Sequence, residues 1–285
     1  MSLQWLTLLV KHKIMAAQLL LAGCGKMGGA MLAGWLEQGV CARNITVIEP
    51  NDDTAVALRT QYNVATMASP DDIKLNKKPN VIVFAVKPQI MDAVAPSYAR
   101  FVDAEVVYLS IAAGKPISYF ENILGKNASI VRAMPNTPAA VRRGITVCCS
   151  NSRVSNDQNS FCEQLLSSIG EVAWVEDEDH IDIVTALSGG GPAYVFLLAE
   201  CLSKAALKAE LPEELAKRLA RATVAGSGEL LYRSTEAPET LRQNVTSPGG
   251  TTAEALRILM ADNGWQPLLD EAIAAATLKS RELGK

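Results

Sequence analysis

Apolar residues follow two different rhythms along the chain. From residue 18 to about 150, short runs of aliphatic and β-branched residues alternate with stretches at helical spacing. "QLLLA" (18–22) reads as a short buried strand. The text after it, "GCGKMGGAMLAGWLEQG", carries Met27, Met31, Leu32, Trp35 and Leu36 at helical intervals. "ITVIEP" predicts a second strand and "TAVALRTQY" a second helix. "VIVFAV" (81–86) is apolar without a break, as a strand buried on both faces must be. "IMDAVAPSYARF" and "ISYFENILG" predict helices, and "EVVYLSIAA", "ASIVRAMPN" and "GITVCCS" predict strands. Strands alternating with helices imply parallel βαβ units in a doubly wound sheet.

Near residue 177 the rhythm changes. Long amphipathic stretches follow, separated by "LPEE", "STEAPET" and "SPGG", with little strand signal. Pro212 falls near the first turn of one helix and Gly264 near the end of another. Residues 183–209 form a nearly unbroken apolar helix with Pro192 inside it, and a helix apolar on all sides belongs in a core or a subunit interface. The expected fold class is α/β: a Rossmann-like doubly wound domain over residues 15–177, then an all-helical domain over 178–285. Residues 1–14 are an N-terminal extension whose origin the sequence leaves open, with Met15 as an alternative start. Their apolar run, Leu3–Val10, is too short to span a bilayer, and it lacks the flanks of a signal peptide.

Composition narrows the function. The 285 residues are 49% hydrophobic and 20% charged, ordinary for a globular chain. A net charge of -3 gives no global basic field, so no nucleic-acid partner is expected, and no membrane partner either. The six cysteines form no C-x-x-C pair and read as reduced thiols of a cytoplasmic protein. With only two histidines, His12 and His180, a histidine zinc site or a histidine-centred triad is not expected, and no metal is assigned.

The candidate chemistry lies at turns. Gly23, Gly25 and Gly28 fit G-x-G-x-x-G between a predicted strand and helix, where glycines let a pyrophosphate approach the helix N-terminus. The plainer alternative is a tight turn. Glu49, at the end of the second strand, stands where a carboxylate reads a ribose 2′-OH. It would repel a 2′-phosphate, which favours NADH over NADPH, or it is simply an exposed acid. Lys87-Pro88 follows the third strand, where doubly wound sheets bind ligands. "SIAAG" (110–114) and "RAMPNTP" (132–138) are strand ends of the same kind, with Asn136 and Thr137 able to donate. "NVTSPGGTTAEAL" (244–256) crowds hydroxyls and glycines at a helix start near Thr252. Free N–H groups there suit an anion, while a capped turn is the bland alternative.

"GCGKMGGAMLAG", "FAVKPQ", "SIAAG", "RAMPNTPA", "LSGGGPAY" and "NVTSPGGTT" occur in the order of pyrroline-5-carboxylate reductases, and the chain resembles that family from about Gln18 to Leu283. "VTSPGGTT" is the most specific of these motifs. The chain departs from the family at Gly190, where Ser is usual, and Glu49 is not a family hallmark. The resemblance implies NAD(P)H-dependent reduction of 1-pyrroline-5-carboxylate to L-proline, with NADPH or NADH as cofactor. It also implies a helical domain that pairs in a homodimer or higher homo-oligomer. Carried over position by position, cofactor contacts fall on Ala22, Gly23, Cys24, Gly25, Lys26 and Met27, on Ala85, Val86, Lys87 and Pro88, and on Ile111, Ala112 and Ala113. Glu49 and Asn244 join the cofactor set. Substrate contacts fall on Glu178, Asn244, Thr251 and Thr252. The amides of Gly249, Gly250 and Thr251 are expected to hold the substrate carboxylate, and Thr252 is the candidate proton donor. Two rivals remain: a β-hydroxyacid dehydrogenase with Lys204 as general acid/base, and a non-catalytic dinucleotide-binding module.

Overall fold

A computed structural model describes residues 16–74 and 78–284. The expectations for residues 1–14 and for Met15 lie outside the described residues. The chain divides into two compact units. One runs to Gly189 and takes in Thr277 onward; the other is Gly190–Ala276.

The first unit is built on an eight-stranded sheet in the order β3-β2-β1-β4-β5-β6-β7-β8. Its strands are β1 (Leu19–Ala22), β2 (Ile45–Ile48), β3 (Ala65–Met67), β4 (Val81–Phe84), β5 (Val107–Ser110), β6 (Ser129–Met134), β7 (Gly144–Ser150) and β8 (Gly170–Trp174). All neighbours are parallel except β6 and β7, which are antiparallel. The sheet is therefore mixed, because a short connection joins β6 to β7 where a crossover helix would be needed to keep them parallel.

Helices α1 (Lys26–Glu37), α2 (Asp52–Tyr62), α3 (Met91–Val94), α4 (Ile117–Leu124), α5 (Asn156–Leu166) and α6 (His180–Val184) belong to this unit. Alternate strand residues feed two cores. Leu19, Leu21, Val83 and Leu109 pack with Met31, Leu32, Trp35 and Leu165. Leu20, Ile82, Phe84 and Tyr108 pack with Met91, Tyr98, Phe120 and Ile181. The two sets interleave along each strand because successive side chains point to opposite faces. Trp35 also donates its indole N–H to the Leu165 carbonyl at 2.9 Å, which locks α1 to α5. Ile181 sits inside the aromatic core, which is why the first unit extends past residue 177 to Gly189.

The second unit is helical: α7 (Gly191–Lys208), α8 (Glu213–Arg233), α9 (Pro238–Asn244), α10 (Thr251–Leu259) and the first part of α11 (Trp265–Leu283). The apolar run over 183–209 is not one α-helix. A π-helical turn, Thr185–Gly189, separates α6 from α7, and Pro192 stands in the first turn of α7, where its missing N–H costs nothing. Gly264 precedes α11 and donates to the Ala261 carbonyl at 2.7 Å. No residue of α7 is buried within the single chain.

Candidate active site

β1 lies between β2 and β4, so the chain winds outward from it in both directions, and the carboxyl ends of β1 and β4 flank the switch point. Three backbone bonds lace these ends together. Gly23 donates to Ile48 O at 3.2 Å, Ala85 to Ala22 O at 2.9 Å, and Ile111 to Phe84 O at 3.1 Å. Residues 22–27, 85–88 and 111–113 thus lie together at the carboxyl ends of β1, β4 and β5.

The three glycines do different things. Gly23 takes φ +87°, and a Cβ on it would lie 2.7 Å from Val86 Cγ1. Gly28 is buried, and a Cβ there would meet the Gly23 carbonyl oxygen at 2.5 Å, so α1 and the turn touch only because the side chain is absent. Gly25, the N-cap of α1, faces open space, with nothing within 4 Å of its hypothetical Cβ. Past it, the first amides of α1 have no carbonyl one turn back. An open glycine over unpaired N–H groups at a helix N-terminus fits the pyrophosphate of a dinucleotide.

Cys24 and Lys26 complete the turn, Lys26 exposed and Cys24 partly covered. Burial, and then the negative charge of Glu49, push the Cys24 thiol up to about 11. Glu49 therefore sits within electrostatic reach of the glycine turn. Its Oε1 accepts from the Asn51 amide at 3.1 Å, while Asn51 itself caps α2 through Thr54. Lys87 is exposed at the end of β4, ahead of Pro88. Ala112 is buried and donates to Ser110 Oγ at 3.2 Å, which shapes the β5–α4 loop. Asn136 turns inward instead: its Oδ1 accepts from Ile145 N–H at 2.9 Å and braces the β6–β7 connection.

In the second unit α10 begins at Thr251, capped by Gly250 without any side-chain bond. Gly249 takes φ +68°. The Gly250 amide is committed to Ser247 O at 3.0 Å, so of the three amides expected to hold a carboxylate it is the one already used. The amides of Thr251, Thr252 and Ala253 have no carbonyl one turn back. Thr252 is half-buried and Thr251 exposed. Asn244 ends α9, its Nδ2 3.4 Å from Glu236 Oε2.

Glu178 is engaged otherwise than expected. Its Oε1 accepts from Arg132 Nη1 and from the Ile117 amide, both at 2.8 Å. Its first role in the fold is that of counter-ion to a buried arginine whose side chain is 6% exposed. Sequence reasoning passed over Arg132, although a single arginine in the apolar strand "SIVRAM" is a signal that a carboxylate waits for it. His180 lies exposed at the start of α6. Ser188, within the π turn, donates to Val184 O at 3.1 Å.

Two family models match the chain. Pyrroline-5-carboxylate reductase dimerisation matches residues 178–283, and NADP oxidoreductase coenzyme F420-dependent matches 19–114. The chain is 37% identical over 263 residues to a pyrroline-5-carboxylate reductase of Pseudomonas aeruginosa, covering 92% of this chain and 95% of that one. It is 38% identical over 272 residues to that of Synechocystis, covering 95% and 100%. This chain belongs to the pyrroline-5-carboxylate reductase family. The family fold is shared with a solved reductase of Coxiella burnetii at TM-score 0.88 and 34% identity, covering 94% of this chain and 99% of that one. A Plasmodium falciparum pyrroline carboxylate reductase with NADP bound follows at TM-score 0.79 and 30% identity, covering 95% and 100%. This member of the family is thus an NAD(P)H-dependent oxidoreductase with a Rossmann-like domain and a helical dimerisation domain, and it forms a homo-oligomer.

Proposed function

We propose that the chain reduces 1-pyrroline-5-carboxylate to L-proline, the last step of proline biosynthesis, as a cytoplasmic homodimer or higher homo-oligomer. The observation that carries this reading is the membership just described, with an open glycine at the start of α1 and a side-chain-free cap at the start of α10. When bound, NADPH or NADH supplies the hydride that reduces the C=N carbon. Residues 22–27, 85–88 and 111–113 hold the dinucleotide at the carboxyl ends of the strands, its pyrophosphate against Gly25 and the first amides of α1. The Thr251 amide and its neighbours at the start of α10 hold the substrate carboxylate without a buried lysine, because that helix end carries partial positive charge. Thr252 hydrogen-bonds the ring nitrogen and passes it a proton. A threonine hydroxyl has no pKa near neutrality, so it works by position and by relay to a nitrogen made strongly basic, not as an acid poised at pH 7.

Purified protein with pyrroline-5-carboxylate and NADPH or NADH tests the reaction directly; folded protein that oxidises neither cofactor ends the proposal. Thr252→Ala is expected to lower kcat by roughly 10²–10⁴-fold if the hydroxyl assists proton transfer, with cofactor affinity intact, and Thr252→Ser to recover much of the rate. Wild-type turnover by Thr252→Ala removes the hydroxyl from the chemistry. The β-hydroxyacid dehydrogenase reading gains nothing from Lys204. It is exposed and paired with Glu200 one turn earlier on α7, and the hydrogen bond to that carboxylate raises its pKa, opposite to what a general base at neutral pH requires.

A further inference from the structure

The second half of the β5–α4 loop, from Gly114 to Ile117, is held by one closed circuit of contacts. At its far end the Ile117 amide donates to Glu178 Oε1 at 2.8 Å. Glu178 pairs with Arg132 Nη1 at 2.8 Å, and Arg132 Nη2 lies 3.7 Å from Asp182 Oδ1 on α6. Asp182 accepts from Ser280 Oγ, in the last turns of α11, at 2.6 Å. Three residues on, Leu283 closes the circuit: a Cβ on Gly114 would lie 3.1 Å from both Leu283 Cβ and Leu283 O, and Gly114 takes φ +69°. Arg132 and Ser280 are each 5% exposed. All these residues belong to the first unit.

From this we propose that Arg132, Asp182 and Ser280 are positioning residues for the cofactor: through Leu283 and Glu178 they set the backbone of Ile111–Ala113. The inference rests on the reading of that loop as a cofactor contact. Its physical basis is that the loop between Ser110 and Ile117 carries a positive-φ glycine and no helix of its own: the Phe84 carbonyl and Ser110 Oγ hold its start, and the course of the rest is set by what it leans on. The end of α11 is one support and the Glu178 carboxylate the other. A buried ion pair transmits position because either partner, left alone, is costly. The hydroxyl of Ser280 is the gentlest point at which to open the circuit.

Ser280→Ala, Ser280→Thr and a chain ending at Arg281 are to be compared with wild type for the KM of NADPH and of NADH, kcat, and Tm. The expected result is a KM for the cofactor raised about 3- to 10-fold in Ser280→Ala, the loss of one hydrogen bond's positioning, and raised in the shortened chain too, which keeps that bond and loses the Leu283 contact with Gly114. The KM for the imine and kcat change less than 2-fold by the same reasoning, and Ser280→Thr restores the wild-type KM. A fall in Tm with every kinetic constant unchanged means the circuit serves the fold alone and overturns the proposal. Ala113→Phe separates the two layers of inference. If it too leaves the cofactor KM unchanged, the loop does not touch cofactor and the underlying reading fails. If it raises that KM while Ser280→Ala does not, the circuit alone fails.

Discussion

Replacing Gly25 and Gly28 one at a time by alanine separates cofactor docking from folding, because the two glycines face different things. At Gly28 the new methyl carbon would stand 2.5 Å from the Gly23 carbonyl oxygen and 3.2 Å from Ala85 Cβ. Backbone lies on one side and a buried helix on the other, so α1 has to move off the turn. Overpacking of this kind costs about 1–3 kcal/mol, and about 2–4 °C of Tm is lost per kcal/mol in a chain of this size class, so Tm falls by roughly 2–12 °C. At Gly25 the methyl meets nothing within 4 Å, and the φ of -72° is open to any residue. The fold pays only the difference between glycine and alanine as N-cap, about 1 kcal/mol or less. If a pyrophosphate docks there, the methyl holds it off the amides of α1. Losing one charge-assisted hydrogen bond, about 1.5–3 kcal/mol, weakens binding by roughly 10- to 150-fold. Calorimetric titration of NADPH and NADH into each variant, beside a thermal melt, reads both quantities. Gly25→Ala that binds both cofactors at wild-type affinity, with its melt intact, would falsify the placement of the pyrophosphate on α1.

Glu49→Ser is expected to raise the ratio of kcat/KM for NADPH over NADH by about 5- to 30-fold, since relief of 1–2 kcal/mol of repulsion acts only on the 2′-phosphate; an unchanged ratio means the carboxylate faces elsewhere. Glu178→Gln keeps an acceptor for Arg132 but removes its near counter-charge, leaving the Asp182 carboxylate at 3.7 Å; a broken buried pair costs about 3–5 kcal/mol, so Tm should drop by roughly 6 °C or more. A raised KM for the imine at unchanged Tm would instead make Glu178 a substrate contact. Iodoacetamide at pH 8 should modify Cys24 about 100-fold more slowly than a thiol at the ordinary value of 9.0, because its thiolate forms only near 11. Glu49→Gln should speed that reaction, and mass-mapped rates equal to those of an ordinary thiol would contradict the electrostatic contact. The sign for stability follows: the folded pKa is the higher one, so this thiol's contribution is present below pH 9 and is lost as pH rises through about 11.

The strands legible in the sequence are those buried on both faces. β1, β4 and β5 are buried at every position, and each is apolar throughout except for Ser110 at the end of β5. The two strands that left no readable signal, β3 and β8, are the two ends of the sheet. An edge strand needs only one covered face, and Gly170–Trp174 accordingly alternates half-buried and exposed residues. Helix α5 was equally silent, since Asn156–Leu166 starts with five polar residues and buries only Cys162, Leu165 and Leu166. Its start was legible in principle, because Ser155 and Gln158 form a reciprocal capping box. At the site, glycine spacing was readable because it is a local steric code. The partnership of Glu178 with Arg132 was not, because its members are 46 residues apart and only the fold brings them together.

The helical unit raises a question of energy that the single chain cannot answer. Phe196, Leu197, Leu230, Leu231 and Ile258 are all exposed, Phe196 by 69%. Taking such a side chain from full exposure to full burial is worth about 1.5–3 kcal/mol; these five are 48–69% exposed, so covering what remains represents roughly 4–9 kcal/mol, comparable with a whole domain's net stability. By length and composition His180–Lys208 would also suit a membrane, with a mean hydropathy of 1.4. What decides between the two solvents is the register of the whole segment. The dimerisation model matches residues 178–283, a range that takes in that apolar stretch and the charged helix α8 together. A bilayer has no use for Glu213–Arg233, whose exposed face carries the Lys217–Glu213 and Arg233–Glu229 pairs. A second copy does, since it can cover the apolar residues of α7 and α8 while their charged residues remain in water. The stability of the unit that carries Thr252 is then inseparable from protomer concentration.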